Sequence, residues 1–118
     1  MLAEFAEHLT VYLVTGYTDM RKSIDGLAAI VQGILHMDPF SRSMFLFCGR
    51  KRDRIKALLW EDDGFVLLYK RLDNGSFKWP RAEKEARLRS DKELRWFLDG
   101  LELDQPKAIK SGTKGFLY

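Results

Sequence analysis

The side chains best placed by type and spacing to do chemistry are cations grouped in one short segment. Four of the six residues in Gly49-Arg50-Lys51-Arg52-Asp53-Arg54 are lysine or arginine, and one is acidic. Apolar runs flank the segment on both sides, so the pattern predicts the tip of a β-hairpin with its side chains in solvent. Cations held outward on a rigid sheet suit a polyanion, and DNA or RNA is the obvious one.

Further cations and aromatic residues lie on the predicted strands beside this tip. Cations can fix phosphates, and exposed aromatic rings can stack on unpaired bases. We therefore predict a nucleic-acid-binding set of Arg50, Lys51, Arg52, Arg54, Lys56, Lys70, Arg71 and Lys78. An additional contact set comprises Arg21, Lys22, Trp60 and Trp79. The alternatives are that the aromatic residues are core and that the cations form an ordinary solvated surface.

Carboxylates, histidines and cysteine show no pattern typical of an enzyme. Glu61-Asp62-Asp63 is the only acidic cluster, and neighbours in a hairpin turn diverge instead of converging on one Mg²⁺ ion. His8 and His36 are the only histidines, and neither has a nucleophile candidate or a zinc-type partner set nearby. We therefore predict no catalytic residue, no metal site and no cofactor. A metal-dependent nuclease using the three acidic residues is kept as an alternative.

Length and composition bound the class of protein. The chain has 118 residues, 46% of them hydrophobic and 13% aromatic, which favours one folded domain. No apolar run could span a membrane and the N-terminus is not typical of a signal peptide, so we expect a cytoplasmic protein, nucleoid-associated when bound to DNA. Net charge is +3, but residues 42–89 hold 13 Lys/Arg against 7 Asp/Glu. Cys48, the single cysteine, is predicted to be a small buried hydrophobe.

A sheet must position the cations. Val11-Tyr12-Leu13-Val14 predicts a first strand. Later apolar runs, separated by Asp62-Asp63-Gly64 and Asp73-Asn74-Gly75, predict strands near 43–48, 54–61, 65–72 and 76–79. Within 54–61, Ile55, Ala57 and Leu59 should face one side of the sheet, and the alternate residues the other. The run 65–72 is apolar on both sides near its centre, which predicts a strand covered on both faces.

Helices are predicted before and after these strands. Thr18 is predicted to cap a long helix over 19–36. Arg21 and Lys22 lie at its N-terminal end, where cations are unfavourable, so they are expected to form ion pairs with Asp19 or Asp25, or else to bind a ligand. The small-residue stripe of this helix, Gly26, Ala29 and Gly33, predicts close packing against the sheet or a partner chain. Residues 81–89 carry a weak helical pattern. A capping box at Ser90 and Glu93 predicts a C-terminal helix.

Together these elements predict an α+β fold. We expect a mainly antiparallel sheet of four or five strands, with one long helix on a face and a C-terminal helix. Residues 1–105 are predicted to form a single domain and residues 106–118 a basic, mobile tail.

Two segments resemble a known family. GYTDMRKSIDGLAAIVQ and DPFSRSMFLFCGRKRDRIKALLWEDDGFVLLYKRLDNGSFKWP are similar to the TnpB-type accessory proteins encoded by the second reading frame of insertion-sequence sixty-six elements. The family pattern includes T-D-M-R-K, D-G-L, D-P-F, F-x-F, G-R-x-x-D-R, K-x-L-x-W and K-R-L…G-x-F-x-W-P. Here these motifs fall on residues 18–22, 25–27, 38–40, 45–47, 49–54, 56–60 and 70–80. The resemblance covers about residues 11–80.

The resemblance implies a bacterial transposition accessory factor that acts beside a separate, larger transposase. It carries over no catalytic residue. The favoured function is therefore non-catalytic support of DNA transposition through DNA binding by the basic hairpin. The alternative is an adaptor that docks on the transposase, based on the small-residue stripe and the small net charge. Expected partners are DNA and proteins of the same element, with no membrane, and a second copy of this chain is compatible with the stripe.

Overall fold

One five-stranded sheet organises the computed structural model, which describes residues 9–81, 84 and 86–88. The elements along the chain are β1 Thr10–Val14, helix α1 Ile24–Ala29, a π-helix Ile30–Ile34, β2 Ser43–Cys48, β3 Arg54–Glu61, β4 Gly64–Arg71 and β5 Ala86–Leu88. In strand order β4-β3-β2-β1-β5, only β1 and β2 pair in parallel, and the other neighbours are antiparallel. The α+β class and the mainly antiparallel sheet are therefore confirmed.

Strands β2 and β3 form the centre of the molecule and fall where the sequence predicts them. All six residues of β2 are buried, as expected for a strand covered on both faces. In β3, Ile55, Ala57 and Leu59 belong to the core on one face, and Leu58 belongs to the core under the helix. Cys48 is fully buried at the end of β2, which confirms its prediction as a core residue.

The helix is shorter than predicted and starts five residues later. Ser23, not Thr18, precedes α1, and the chain continues as a π-helix in which the Leu35 amide donates to the Ile30 carbonyl. A helix from residue 19 would need the carbonyls of Met20 and Lys22 for its own hydrogen bonds. Both carbonyls instead accept hydrogen bonds from the Lys56 ammonium group, at 2.8 Å each. The long helix is therefore not confirmed.

The predicted strand at 76–79 is wrong, because this segment crosses a face of the sheet without pairing. Phe77 and Trp79 are buried in the core on the face opposite the helix, and the Trp79 indole donates to the Val14 carbonyl. The chain then continues to β5, which pairs with β1. Strand β5 lies within residues 81–89, for which the sequence indicates a weak helical pattern instead. Strand β4 is an edge strand of half-buried and exposed residues. Val66 and Leu68 pack against the core opposite the helix and Leu67 against the core under it, so its predicted cover on both faces is present but partial.

The small-residue stripe does not pack against the sheet: a Cβ on Gly26 would lie 3.2 Å from Lys22 Cβ, and the other two positions are open. A Cβ added to Gly33 would meet nothing within 4 Å, and Ala29 is exposed. Close packing of this stripe against the sheet is therefore wrong, and packing against a partner chain stays a prediction. The predicted C-terminal helix from Ser90 and the tail over 106–118 lie outside the described residues. In the part of the chain that is described, no helix has the length and apolar character needed to cross a membrane.

Candidate nucleic-acid interface

The two cationic segments meet at one end of the sheet. Strands β1 and β2 are parallel, so their carboxyl ends lie side by side, and residues 15–22 and 49–53 follow directly. The Thr18 amide donates to the Cys48 carbonyl at 2.9 Å, which ties one segment to the other. A Cβ on Gly49 would lie 2.6 Å from Met20 Cγ, so only glycine permits this approach. We call residues 17–22 and 49–54, together with Arg71, Lys78 and Arg81, the cationic end.

A cleft of about 550 Å³ lies between these segments. Its lining includes the backbone and side chains of both segments and has four cationic residues against two carboxylates. The cations are Arg21, Arg50, Lys51 and Arg54. A concave surface with a net positive charge raises the local concentration of anions more than a flat surface does.

Backbone hydrogen bonds fix the tip of the hairpin. The Arg52 amide donates to the Gly49 carbonyl, and the crossing segment holds the tip from the other side, because the Phe77 amide donates to the Arg52 carbonyl at 2.7 Å. The Leu72 amide donates to the Asp53 carbonyl at 2.8 Å. Arg52 itself has a φ of 61°, a left-handed conformation that is rare for a residue with a side chain. The tip is therefore ordered by its surroundings.

The predicted phosphate-binding cations of the hairpin differ in exposure. Arg50 and Lys51 are exposed, whereas Arg52 and Arg54 are half-buried. The Arg54 Nε atom is buried without a hydrogen-bond partner, and the nearest carboxylate oxygen, Asp53 Oδ1, is 3.9 Å away. Arg54 also lies directly across the strand pair from Arg71, which is exposed. Two guanidinium groups side by side favour an anion between or above them.

The two remaining predicted cations, Lys78 and Lys70, lie in different surroundings. Lys78 is exposed and follows Phe77, whose amide is bonded to the hairpin tip, so it belongs to the cationic end. Lys70 is half-buried opposite Ile55 and alternates with Arg71, so the two side chains leave the sheet on opposite faces.

Lys56 and Trp79 have structural roles that argue against their predicted contacts with nucleic acid. The Lys56 ammonium donates to the carbonyls of Met20 and Lys22 and lies 5.6 Å from the centroid of the Tyr69 ring. It fastens residues 20–22 to the sheet. Trp79 is only 4% exposed and its indole N–H is bonded to Val14, so it cannot stack on a base. Trp60 is half-buried at the other end of β3, far from the cationic end.

Arg21 forms the ion pair that the sequence offered as one alternative. Its Nη2 and Nε atoms lie 2.8 Å and 3.0 Å from the two Asp19 carboxylate oxygens, and its side chain is 91% exposed. Hydrogen bonds from Arg21 hold the pKa of the Asp19 carboxyl well below its ordinary value. Lys22 is exposed beside this pair. Both cations are open to solvent, but Arg21 lines the cleft, whereas Lys22 lines a second groove beside the helix.

Sequence reasoning missed Tyr17, Arg81 and Lys84. Guanidinium carbons of Arg50 and Arg81 lie 5.5 Å and 5.7 Å from the centroid of the Tyr17 ring, within cation–π distance. Lys84 donates from its ammonium to the Tyr17 carbonyl at 2.7 Å, and burial lowers the pKa of this lysine. The signal in the sequence was an aromatic residue after Gly16, but its two cationic neighbours are 33 and 64 positions further along the chain.

The acidic cluster lies away from this end. Glu61, Asp62 and Asp63 are exposed at the turn between β3 and β4. Within residues 9–81, 84 and 86–88, no group of three or more His, Cys, Asp or Glu side chains is arranged to hold a metal ion.

Comparison with known proteins places the chain in a family. The family model described as IS66 Orf2 like protein matches residues 9–108. Two proteins of Sinorhizobium fredii (strain NBRC 101917 / NGR234) are similar to this chain over 108 residues each. Uncharacterized protein y4hO is 35% identical, and the match covers 92% of this chain and 94% of the relative. Uncharacterized protein y4jC is 30% identical, and the match covers 90% of this chain and 92% of the relative. No solved structure matches. The matched region includes both cationic segments, and the chain belongs to the IS66 Orf2-like family of transposition-associated accessory proteins.

Proposed function

We propose that this protein supports transposition of a bacterial insertion sequence without catalysing it, by binding DNA through the cationic end. The observation that carries the proposal is the meeting of two cationic segments around one cleft, with Arg50 and Lys51 exposed beside it. A family of transposition-associated accessory proteins makes DNA the polyanion most available to such a surface.

The order of the cationic end supports binding to a phosphate backbone. Long cationic side chains lose rotamer freedom when they bind, so groups that are already positioned bind more tightly. Here Tyr17 holds the guanidinium groups of Arg50 and Arg81 near its ring, and the hairpin tip is fixed by backbone hydrogen bonds. If about six phosphates are neutralised, the logarithm of the binding constant should fall with the logarithm of salt concentration with a slope of about −5.

The test is the DNA affinity of a triple variant, Arg50→Ala, Lys51→Ala and Arg52→Ala, measured by fluorescence anisotropy with a labelled duplex. Loss of three phosphate contacts should reduce the salt slope to about −3 and weaken binding by at least about tenfold near physiological salt. The matched control is Arg42→Ala, an exposed cation at the opposite end of β2, which should bind as the unaltered protein does. Equal affinity of the triple variant and the control contradicts the proposal.

A second candidate function is an adaptor that docks on the transposase of the same element. The open space above Gly33 and the exposure of Ala29 support it, because a partner helix could approach this surface closely. Gly33→Leu should then abolish co-purification with the transposase, whereas the triple hairpin variant should keep it. If the Gly33→Leu variant still co-purifies with the transposase, the stripe is not the docking surface.

A further inference from the structure

Three aromatic rings form one cluster on the surface at the end of the sheet opposite the cations. The ring centroids of Phe40 and Trp60 are 4.9 Å apart, those of Phe40 and Phe65 are 5.3 Å apart, and those of Trp60 and Phe65 are 4.9 Å apart. Phe40 is 51% exposed, and Trp60 and Phe65 are half-buried. Phe65 also packs against the core under the helix, so it anchors the cluster, and Phe40 is its most exposed ring.

The loop before β2 holds Phe40 in this exposed position. The Asp38 carboxylate accepts a hydrogen bond from the Phe40 amide at 2.9 Å, and the Asp38 carbonyl accepts one from the Ser41 hydroxyl at 2.8 Å. Pro39 between them is buried. The turn is thus ordered by its own polar contacts, and the ring does not collapse into the core. An ordered aromatic cluster that stays exposed is typical of a binding surface, where rigid rings contribute most of the contact energy.

Four carboxylates lie on the segments that carry the three rings. Asp38, Glu61, Asp62 and Asp63 are all exposed on the segments that carry the aromatic residues. Arg42 is the single lysine or arginine in the stretches 36–44 and 58–66, so the described residues of this end carry a net charge of −3. Such a surface repels a phosphate backbone and attracts a cationic partner.

Position separates this surface from the cationic end. Strand β3 runs from Arg54 at the cationic end to Glu61 beside the rings, and the seven residue-to-residue rises between them span about 23 Å. A DNA duplex lying on the cationic end would therefore leave the aromatic surface open. The two ends of the described sheet therefore carry opposite charges.

We propose that Phe40, Trp60 and Phe65 dock a cationic amphipathic segment of a partner protein. An apolar side chain of the partner fills the open face of the three rings, and lysine or arginine residues beside it pair with the carboxylates of Asp38 and Glu61–Asp63. The surface is distinct from the small-residue stripe, because Gly26 and Ala29 of the stripe line a separate groove with Ile34. The inference does not depend on DNA binding at the other end.

The test uses the full chain and a defined probe, a fluorescein-labelled helical peptide of leucine and lysine about 18 residues long, or five turns. Its control peptide has glutamate in place of every lysine. Anisotropy titration should show binding of the lysine peptide and not of the glutamate peptide. Phe40→Ala should weaken binding by about tenfold or more, as expected for an aromatic anchor at the centre of a contact. Asp62→Asn with Asp63→Asn should weaken it severalfold and reduce its salt dependence.

A matched control distinguishes binding at this surface from nonspecific hydrophobic binding. Ile34 is 54% exposed, similar to Phe40, but lies in the separate groove, so Ile34→Ala should bind the lysine peptide as the unaltered protein does. Equal losses in Phe40→Ala and Ile34→Ala overturn the proposal. It is also overturned if the unaltered chain does not bind the lysine peptide. Loss of self-association in Phe40→Ala, without any peptide binding, assigns the surface to a second copy instead.

Discussion

Replacing Lys56 with methionine removes the ammonium group that fastens residues 20–22 to the sheet. Methionine keeps the length and apolar stem of lysine, so the change isolates the charge and its hydrogen bonds. The variant leaves the carbonyls of Met20 and Lys22 without their 2.8 Å partner and ends the contact with the Tyr69 ring. It therefore loosens the start of the helix and one wall of the cleft.

The expected loss of stability follows from these contacts. A hydrogen bond from a charged donor contributes about 1.5–3 kcal/mol when buried, but the Lys22 carbonyl is at the exposed surface, so we expect about 2 kcal/mol in total. For 118 residues the entropy of unfolding is roughly 250 cal/mol/K, so 1 kcal/mol corresponds to about 4 °C. The melting temperature of Lys56→Met should fall by about 8 °C.

The assay pairs thermal unfolding with the salt dependence of DNA binding. A lysine that contacts a phosphate contributes about 0.9 to the salt slope, whereas a structural lysine contributes nothing. Lys56→Met should therefore lower the melting temperature and leave the slope unchanged. The reciprocal control is Lys51→Met, an exposed cation of the hairpin tip, which should leave the melting temperature unchanged and reduce the slope by about 0.9. The reasoning is refuted if Lys56→Met has the melting temperature of the unaltered protein and its DNA binding has a smaller salt slope.

Three further changes test the geometry of the hairpin and the core. Arg52→Gly should raise the free energy of unfolding in urea by about 0.5–1 kcal/mol, because the φ of 61° is strained for arginine, whereas Arg52→Ala removes the same charge without this gain. Gly49→Ala should destabilise the protein by about 1–3 kcal/mol through its clash with Met20 Cγ, and adding Met20→Ala in the same chain should recover part of the loss in a double-mutant cycle. Burial raises the pKa of the Cys48 thiol to about 12. The thiol of the unfolded chain therefore ionises first, and the free energy of unfolding should fall as the pH rises from 9 toward 12. The Cys48→Ala variant should lack this part of the pH dependence.

The hairpin of β2 and β3 could be predicted because local pattern and tertiary packing agree there. Alternating apolar residues and a tip rich in turn-forming and charged residues are both short-range signals. The segment 76–79 shows the limit of the same reasoning. Alternation reports burial, and Phe77 and Trp79 are buried by crossing a face of the sheet instead of by pairing within it. The sequence pattern does not distinguish these two arrangements.

The start of the helix could not be predicted from its own residues. Capping at Thr18 is consistent with local preference. The carbonyls that an earlier helix would need instead accept hydrogen bonds from Lys56, which is 34 and 36 positions away from them along the chain. Such long-range hydrogen bonds override propensity, which contributes only tenths of a kcal/mol per residue. The same lysine was grouped with the phosphate-binding cations, because charge alone does not show whether an ammonium group is used inside the chain.

Both cationic segments of the candidate interface were visible in the sequence, but their junction was not. Their meeting depends on the parallel pairing of β1 and β2, which places the residues after each strand at the same end of the sheet. Tyr17 joins Arg50 and Arg81 only in three dimensions. Composition and spacing therefore located the cations, whereas the cleft and the ring that orients two of its guanidinium groups required the fold.

The most direct test of DNA binding at the cationic end is arginine footprinting of the unaltered protein. Modification by an arginine-specific dicarbonyl reagent, followed by mass spectrometry, measures the reaction rate of each guanidinium group with and without a DNA duplex. Arg50, Arg71, Arg81 and Arg42 are all exposed, so each should react in free protein. We predict that DNA slows the modification of Arg50, Arg71 and Arg81 and leaves that of Arg42 unchanged. Equal protection of Arg42, or no protection at the cationic end under conditions where DNA is bound, would contradict the account.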